Sequence, residues 1–340
     1  MKLKGTELDY QGAVSVESTP AGAKPWRIPY EQQELFLPKS LLRQTEVPAG
    51  VRITFKSDSR TAVLHVEGSD VERTIDCVVD GKLHQSVDMT PNQEVCRFDN
   101  LPENSSRVEL FLPQKKGPLI VRELELDHGA SYSHIEDNRL RWVSYGSSIT
   151  QCEEASGPSR TWPALVANHF DWHSTNLGYS GNCHLEMMVA RMIRELPADL
   201  ISICAGINIM GVSSMSERTF QAALIGFVQV VREKHPHTPI ILQSPIFAEK
   251  ESRETHPNKV DLTLQIMRTI VRETVEVMQG QGDNNLYYLD GLEVFGEEWK
   301  DSFPDKLHPD AEGYVNMSKQ MIQLIEKLGL GTQLKRTAVI

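Results

Sequence analysis

The second part of the chain alternates short apolar runs with longer amphipathic runs, and this alternation limits the folds that it can adopt. From "RWVSYG" (Arg141–Gly146) onward, runs of strand character such as "DLISICAG" and "PIILQSPIF" are separated by stretches of helical periodicity such as "ERTFQAALIGFVQVVREKH". Strands that alternate with helices are joined by right-handed crossovers and form a parallel sheet with helices on both faces. The sequence therefore predicts an α/β domain with a three-layer architecture.

The preceding part of the chain has a different period. Between residues 51 and 126, short runs with the alternation typical of β-strands, such as "VRITFKSD" and "TAVLHVEG", are separated by turn signals such as "VDGK". This pattern predicts an all-β sandwich or jelly roll. Before it, the prolines of "GAKPWRIPYEQQ" disfavour a regular helix and predict extended chain packed on the sandwich. We therefore expect a β-sandwich domain over residues 1–132 and an α/β domain over residues 138–332.

Charge and composition exclude several classes of partner and compartment. Lys and Arg number 35 and Asp and Glu 46, and the resulting net charge of −11 disfavours nucleic acid and anionic membrane surfaces. The N-terminal segment lacks the apolar core of a secretory signal, and we find no apolar run of membrane-spanning length, so we expect a cytoplasmic protein. The five cysteines are odd in number and lack C-x-x-C spacing, which predicts free thiols.

Loops that follow the predicted parallel strands contain the residues of an acyl-transfer site. Ligands of such sheets bind at the carboxyl ends of the strands. Acyl transfer needs an activated hydroxyl, a base, a group that orients the base, and donors for the oxyanion. Ser148 in "YGSSIT" supplies a hydroxyl and a backbone N–H, while His308 and Asp305 in "DKLHP" supply a base and an orienting carboxylate. The N–H of Gly181 and the side-chain amide of Asn208 are candidate oxyanion donors.

The blocks "YGSSIT", "NLGYSGN", "AGIN" and "DKLHP", in that order, resemble the SGNH (GDSL-type) esterase and acylhydrolase superfamily over about residues 139 to 330. The resemblance implies a flavodoxin-like domain with Ser148 as nucleophile and with His308 and Asp305 completing the triad. It also implies an oxyanion hole formed by Ser148, Gly181 and Asn208. Two positions depart from the family pattern, because Ser147 and the residue after Asn208, Ile209, stand where aspartate is common.

The β-rich front resembles a subgroup of these enzymes in which a jelly-roll-like domain precedes the hydrolase domain. The resemblance implies a serine esterase that cleaves an O-acyl ester through a seryl intermediate, without a cofactor or metal. Its substrate would be a small-molecule ester with a short acyl group, such as an acetylated carbohydrate. The sequence sets neither the acyl length nor the alcohol, and it does not set the oligomeric state.

Two other functions remain compatible with the sequence. An acyltransferase would use the same serine, histidine and aspartate but pass the acyl group to an alcohol instead of water. A catalytically silent carbohydrate-binding protein is suggested by the β-sandwich and by the departures at Ser147 and Ile209. Cysteine catalysis is disfavoured, because Cys204 lies in an apolar strand and Cys183, which we expect to open a helix, has beside it only His184, with no acid to orient that histidine.

Nucleotide and metal sites lack their usual sequence signatures. Neither "SGNCH" nor "AGIN" matches a G-x-G-x-x-G or Walker loop. His235, His237 and His256 do not have the H-E-x-x-H spacing of a zinc site. The sequence therefore predicts neither kind of site.

Overall fold

A computed structural model describes residues 1–103, 107–331 and 334 of the chain, so that residue 332, at the end of the predicted α/β domain, lies outside the described residues. It divides into two compact units. The first comprises Met1–Asn138 with Ser156–Ala164, and the second comprises Arg139–Ala155 with the chain from Leu165 onward. Among the described residues, no helix combines the length and apolarity that crossing a membrane requires.

The first unit consists mainly of short β-strands. In chain order these are β1 (Lys2–Lys4), β2 (Asp9–Gln11), β3 (Ser15–Thr19), β4 (Gly22–Trp26), β5 (Arg52–Phe55), β6 (Ala62–Val66), β7 (Arg73–Val79), β8 (Lys82–Met89), β9 (Val95–Phe98), β10 (Val108–Phe111) and β11 (Val121–Leu126). One sheet has the order β3-β4-β11-β6-β9, with β1 also paired to β11, and the other has the order β2-β5-β10-β7-β8. All of these pairings are antiparallel. The predicted β-sandwich is confirmed.

Alternating residues of the sandwich strands bury one continuous apolar core. Ile53, Leu64, Leu110 and Leu124, from four different strands, are all fully buried in this cluster. The stretch before residue 51 contributes four strands, and its prolines do exclude an α-helix from "GAKPWRIPYEQQ", which forms β4 and a 3-10 helix, Tyr30–Leu35. Helix α1 (Lys39–Thr45) begins directly after Pro38, which is its N-cap, and the helix itself contains no proline. The prolines predicted extended chain for this part of the sequence, so that helix α1 is a departure from the prediction.

The second unit alternates strands and helices as the sequence predicts. Its elements are β12 (Arg141–Gly146), α2 (Ser148–Gln151), α3 (Trp162–Phe170, shared with the first unit), β13 (His173–Gly178), α4 (Met187–Glu195), β14 (Leu200–Cys204), α5 (Ile207–Val212), α6 (Glu217–Arg232), β15 (Ile240–Gln243), α7 (Leu264–Gly280), β16 (Leu286–Leu289), α8 (Gly291–Val294) and α9 (Ala311–Lys327). Helices α2, α5 and α8 are too short to produce a visible hydrophobic period, so the sequence did not predict them.

The five strands of the second unit form one parallel sheet in the order β13-β12-β14-β15-β16. Numbered along the chain, this is the order 2-1-3-4-5 of flavodoxin-like domains, which confirms the predicted fold class. The connections from β12 and β14 leave in opposite directions along the sheet. A crevice opens at such a point, and it is the usual place for a ligand in this class of fold.

A buried ion pair holds β12 beside β14 at the end of the sheet opposite this crevice. The side chain of Asp199 is fully buried. It accepts three hydrogen bonds from Arg141, one from the backbone N–H and two from Nε and Nη2 of the guanidinium group, each at 2.9 Å. The backbone N–H of Asp199 also donates to the Arg141 carbonyl oxygen at 2.8 Å. The two strands that precede Ser148 and Asn208 are thereby fixed at their amino ends.

We expect Asp199→Ala to lower the free energy of unfolding by about 3 kcal/mol, because it removes the fully buried carboxylate that accepts three hydrogen bonds from Arg141. Denaturant unfolding monitored by circular dichroism would measure this loss. Glu293→Gln is the matched control in the same unit, since Glu293 and Lys327 form an exposed pair 3.5 Å apart. The control should change stability by less than about 1 kcal/mol, and an equally small loss for Asp199→Ala would contradict the role given to this pair.

Candidate active site

The Gly-Ser-Ser turn places Ser148 at the first position of a helix. Strand β12 ends at Gly146, and Ser147 forms the N-cap of α2, with its Oγ accepting a hydrogen bond from the backbone N–H of Ile149 at 3.2 Å. Serine and aspartate are both favoured N-cap residues. Serine at position 147, where aspartate is common in the family, therefore still caps the helix. Ser148 is the first residue of the helix, and the backbone N–H of such a residue has no partner within the helix.

Ser148, His308 and Asp305 form a continuous chain of hydrogen bonds. The Oγ atom of Ser148 lies 2.8 Å from Nε2 of His308, and Nδ1 of His308 lies 2.7 Å from Oδ2 of Asp305. An ionised carboxylate only accepts hydrogen bonds, so Nδ1 carries the proton and Nε2 accepts from the serine hydroxyl. This is the tautomer that a general base requires.

The backbone of the same turn orients Asp305. Its Oδ1 atom accepts hydrogen bonds from the backbone N–H groups of Leu307, at 3.0 Å, and His308, at 2.7 Å, which leaves Oδ2 for the imidazole. Partial burial acts to raise the pKa of Asp305, but the hydrogen bonds from His308 and Leu307 outweigh it and hold the pKa below its ordinary value. The carboxylate is thus ionised at neutral pH and can stabilise a protonated imidazole.

The two other predicted oxyanion donors lie on a loop and on a helix, which a hydrogen bond joins. Gly181 is exposed and has a φ of 69°, a value that favours glycine. Asn208 lies in the first turn of α5, and its Oδ1 accepts a hydrogen bond from the backbone N–H of Cys183 at 3.0 Å. With the amide oxygen held in this way, the Nδ2 group is the part of Asn208 that can donate to a ligand. The oxyanion roles of both residues remain predictions.

Glycine at position 206 allows α5 to start where it does. Gly206 has a φ of 135°, and a Cβ atom there would lie 2.6 Å from Cγ of Pro245. Both the conformation and the contact exclude other residues. The "AGIN" block is therefore a turn that directs Asn208 into the first turn of a helix, in addition to any role in binding.

Another close approach holds the helix of Ser148 against the strand that precedes Gly181. A Cβ atom at Gly178 would lie 2.3 Å from the backbone nitrogen of Gln151 and 2.6 Å from the carbonyl carbon of Thr150. Nδ2 of Asn176 donates to the Thr150 carbonyl oxygen at 2.9 Å, and the Ser180 N–H donates to Oε1 of Gln151 at 3.0 Å. Helix α2 therefore has little freedom to shift.

A buried network that the sequence analysis missed anchors the far end of the Gly181 loop. Tyr145 donates its hydroxyl hydrogen to Oε2 of Glu186 at 2.5 Å and accepts from the Leu185 N–H at 3.0 Å, while the His184 N–H donates to Oε1 of Glu186 at 3.1 Å. Burial raises the pKa of both Tyr145 and Glu186. A tyrosine in an apolar strand and a glutamate before a helix give no sequence signal of such a contact.

The cysteines near these loops are unsuited to nucleophilic catalysis. Cys183 is buried, and burial raises the pKa of its thiol, so the thiolate is disfavoured. Burial likewise raises the pKa of Cys204 to about 12. The prediction that Cys183 opens a helix is wrong: α4 begins at Met187 because "GNCHLE" is held in a loop by the contacts of Cys183, Leu185 and Glu186.

Within the described part of the chain, one group of side chains has the spacing of a metal site. His65, Glu123 and Glu125 lie together on the first unit. The ammonium group of Lys2 already lies 2.6 Å from Glu123 and 3.3 Å from Glu125. Because a lysine occupies the position between the two carboxylates, the group is an ion-pair cluster.

A cavity of about 690 Å³ adjoins the loop of Asp305 in the second unit. Lys306, Glu249, Glu297 and Arg268 are among its lining residues, but Ser148 and His308 are not. Arg268 is itself paired with Glu254 at 2.7 Å and bonded to the Pro245 carbonyl oxygen at 2.8 Å. The geometry of the serine therefore identifies the site better than the size of this cavity does.

We expect Gly178→Ala to reduce activity by at least tenfold, because the added methyl group must displace the backbone of α2 and with it Ser148. Steady-state kinetics on a nitrophenyl ester would measure the loss. Gly226→Ala is the control, since an added Cβ in this α6 position meets no atom within 4 Å. It should leave activity unchanged, and wild-type activity in Gly178→Ala would show that α2 does not need this close approach.

Comparisons with known proteins agree with the fold of both units. A model of the GDSL-like lipase/acylhydrolase family matches residues 140–326, and a model of the SsfX3 N-terminal domain matches residues 8–119. The solved structure of the salicylyl-acyltransferase SsfX3 from a tetracycline biosynthetic pathway is 31% identical, with a TM-score of 0.90 over 98% of this chain and 99% of that one. No curated protein sequence matches the chain.

Two more distant structures share the fold. A putative GDSL-like lipase from Bacteroides ovatus is 22% identical, with a TM-score of 0.78 over 99% of both chains. A family two carbohydrate esterase from Clostridium thermocellum is 13% identical, with a TM-score of 0.70 over 95% of this chain and 99% of that one. With its family match over residues 140–326 and a β-sandwich before it, the chain belongs to the GDSL-like lipase/acylhydrolase family, as its four sequence blocks predicted.

Proposed function

We propose that this protein is a serine esterase that cleaves an O-acyl ester through an acyl-enzyme intermediate on Ser148. The observation that supports the proposal most strongly is the hydrogen-bonded chain from the Ser148 hydroxyl through His308 to Asp305. A hydroxyl is a weak nucleophile unless an adjacent base takes its proton. The imidazole lies within the distance that this transfer requires, and its tautomer is the correct one.

In the first half of the reaction, Ser148 Oγ forms a bond to the carbonyl carbon of the ester while its proton moves to Nε2 of His308. The resulting oxyanion accepts hydrogen bonds from the N–H of Ser148, the N–H of Gly181 and Nδ2 of Asn208. When the bond to the alcohol oxygen breaks, His308 returns the proton to that oxygen. Asp305 stays ionised and stabilises the imidazolium, in accord with the direction of its pKa shift.

In the second half, a water molecule attacks the seryl ester and His308 takes its proton. Collapse of the second tetrahedral intermediate breaks the bond to Ser148 Oγ, and the proton on His308 returns to the serine. The products are a carboxylic acid and the free enzyme. No step requires an electron carrier, and the acyl group is the only group that is transferred.

The substrate class is a small-molecule ester with a short acyl group, and we propose an acetylated carbohydrate as the first class to test. The shared fold with family two carbohydrate esterases motivates this choice. A cytoplasmic location is part of the same proposal, and the five free cysteines support it, because thiols persist in a reducing compartment.

Acyl transfer to an alcohol is the second candidate function. The whole-length similarity to a salicylyl-acyltransferase, at 31% identity, specifically favours it. The first half of the reaction would be unchanged, whereas in the second half an acceptor hydroxyl would attack the acyl-enzyme in place of water. The same three residues would act on the acceptor, so the two candidates differ in their products and not in their catalytic groups.

Ser148→Ala should abolish turnover of nitrophenyl esters, with a loss of several orders of magnitude in kcat, because the nucleophile is removed. Ser147→Ala, one residue earlier, removes the N-cap oxygen and should cost about 1 kcal/mol of stability while activity is retained. Kinetics and thermal unfolding of both variants, side by side, separate the two roles. Substantial ester cleavage by Ser148→Ala would refute the proposed mechanism.

Product analysis with an added acceptor distinguishes hydrolysis from transfer. With nitrophenyl acetate as donor and glycerol or methyl glucoside as acceptor, the proposed esterase should release acetate and nitrophenolate in equal amounts. Mass spectrometry of the acceptor and enzymatic assay of acetate would measure the partition. An acetylated acceptor as the main product would overturn hydrolysis and establish the second candidate.

A further inference from the structure

The ring of His184 joins the loop of Gly181 to the loop that follows α5, the helix that contains Asn208. Its Nε2 atom lies 3.3 Å from the carbonyl oxygen of Gly181, and its Nδ1 atom lies 2.7 Å from Oγ of Ser214. Gly181 lies in the loop after β13, whereas Ser214 follows α5, the helix that contains Asn208. A single side chain therefore spans the distance between the two loops.

The chemistry of the two partners determines how the ring is protonated. A carbonyl oxygen only accepts hydrogen bonds, so Nε2 of His184 carries a proton and donates it to Gly181. In the neutral ring, Nδ1 then accepts from the Ser214 hydroxyl.

Ser214 is itself a fixed anchor for this bridge. Its backbone N–H donates to the carbonyl oxygen of Ile209 at 3.2 Å, one residue after Asn208. The neighbouring turn is held from another loop, because Oγ of Ser213 accepts from the Lys259 N–H at 3.2 Å and the Met210 carbonyl accepts from Asn258 at 3.1 Å. The position of Ser214 is thus tied to the helix that presents Asn208.

Gly181 lacks comparable steric support. It is exposed, and a Cβ atom at this position would meet no atom within 4 Å. Its φ of 69° suits the third position of a tight turn, which the Asn182 N–H closes by donating to the Tyr179 carbonyl oxygen at 2.9 Å. The bond from His184 to the Gly181 carbonyl oxygen is a further contact, and it ties this turn to a residue outside it.

We propose that His184 is a positioning residue that fixes Gly181 relative to Asn208, so that both donors meet one oxyanion. The inference rests on the proposed function, because it needs an oxyanion at Ser148. A donor must lie about 2.7 to 3.1 Å from the position that the oxyanion takes, and removal of a whole donor lowers kcat by about 10²- to 10³-fold. If Gly181 is present but less firmly positioned, the loss of rate should be smaller than the loss caused by removing a donor.

The test compares His184→Ala, His184→Gln and Ser214→Ala in the full-length protein. Two readouts are used: turnover of nitrophenyl acetate, and the rate at which diethyl 4-nitrophenyl phosphate modifies the serine, which also places an oxygen in the oxyanion hole. His184→Ala should lower kcat and the phosphorylation rate by about tenfold with KM within about twofold, the signature of an interaction made in the transition state. Asn208→Ala should lower kcat by about a hundredfold, and it shows how large the loss is when a whole donor is removed.

The conservative variant and the double variant distinguish positioning from a general structural effect. His184→Gln should restore most of the rate, because its amide can donate to Gly181 and accept from Ser214. His184→Ala combined with Ser214→Ala should lose no more than His184→Ala alone, since both changes break one bridge. His237→Ala, at an exposed loop histidine, is the matched control and should leave both rates unchanged.

Several results would overturn the inference. Wild-type kcat in His184→Ala, after correction for the concentration of active sites by the nitrophenol burst, would do so. The inference would also fail if His184→Gln were as slow as His184→Ala. It would fail as well if the rate losses of His184→Ala and Ser214→Ala multiplied fully in the double variant. If Ser148→Ala also retains activity, the proposed function fails, whereas loss in Ser148→Ala with normal His184→Ala refutes the positioning role alone.

Discussion

The hydrogen bond between the Ser148 hydroxyl and Nε2 of His308 is the contact on which the account of this protein depends. The two residues are separated by 160 positions in the chain, yet their side-chain atoms lie 2.8 Å apart. The bond has a direction because Asp305 takes the hydrogen of the other ring nitrogen, and Asp305 can do so because two backbone N–H groups hold its second oxygen. The geometry of a turn late in the sequence of the domain thereby orients the base that contacts a serine near the start of that sequence.

The parallel sheet makes this distant contact possible. Its strand order places β12 between β13 and β14, so that the loops after all three strands meet at one edge. Ser148, Gly181 and Asn208 follow these strands, and α2 is held against the end of β13 by close contact at Gly178. The site is thus an outcome of topology together with a few positions where only glycine fits.

The sequence predicted the fold class and the family, and it singled out Ser148, His308 and Asp305, whose side chains the structure joins by hydrogen bonds. This was possible because short blocks in a fixed order at the ends of strands can be recognised from the sequence alone. It did not reveal the short helices α2 and α5, since one or two turns leave no periodic signal. Nor did it reveal the contacts that Tyr145, His184 and Glu186 make, because these join residues whose types are common in cores and loops. Such pairs become recognisable only when the fold brings them together.

The most direct test of the account is to locate the covalent adduct formed by a fluorophosphonate. The protein is treated with the reagent, digested and sequenced by mass spectrometry, with His308→Ala treated in parallel. The account predicts one modified residue, Ser148, and a much slower modification in the variant, because the imidazole no longer takes the serine proton. Modification at Ser147 or elsewhere, or a rate that does not change without His308, would contradict it.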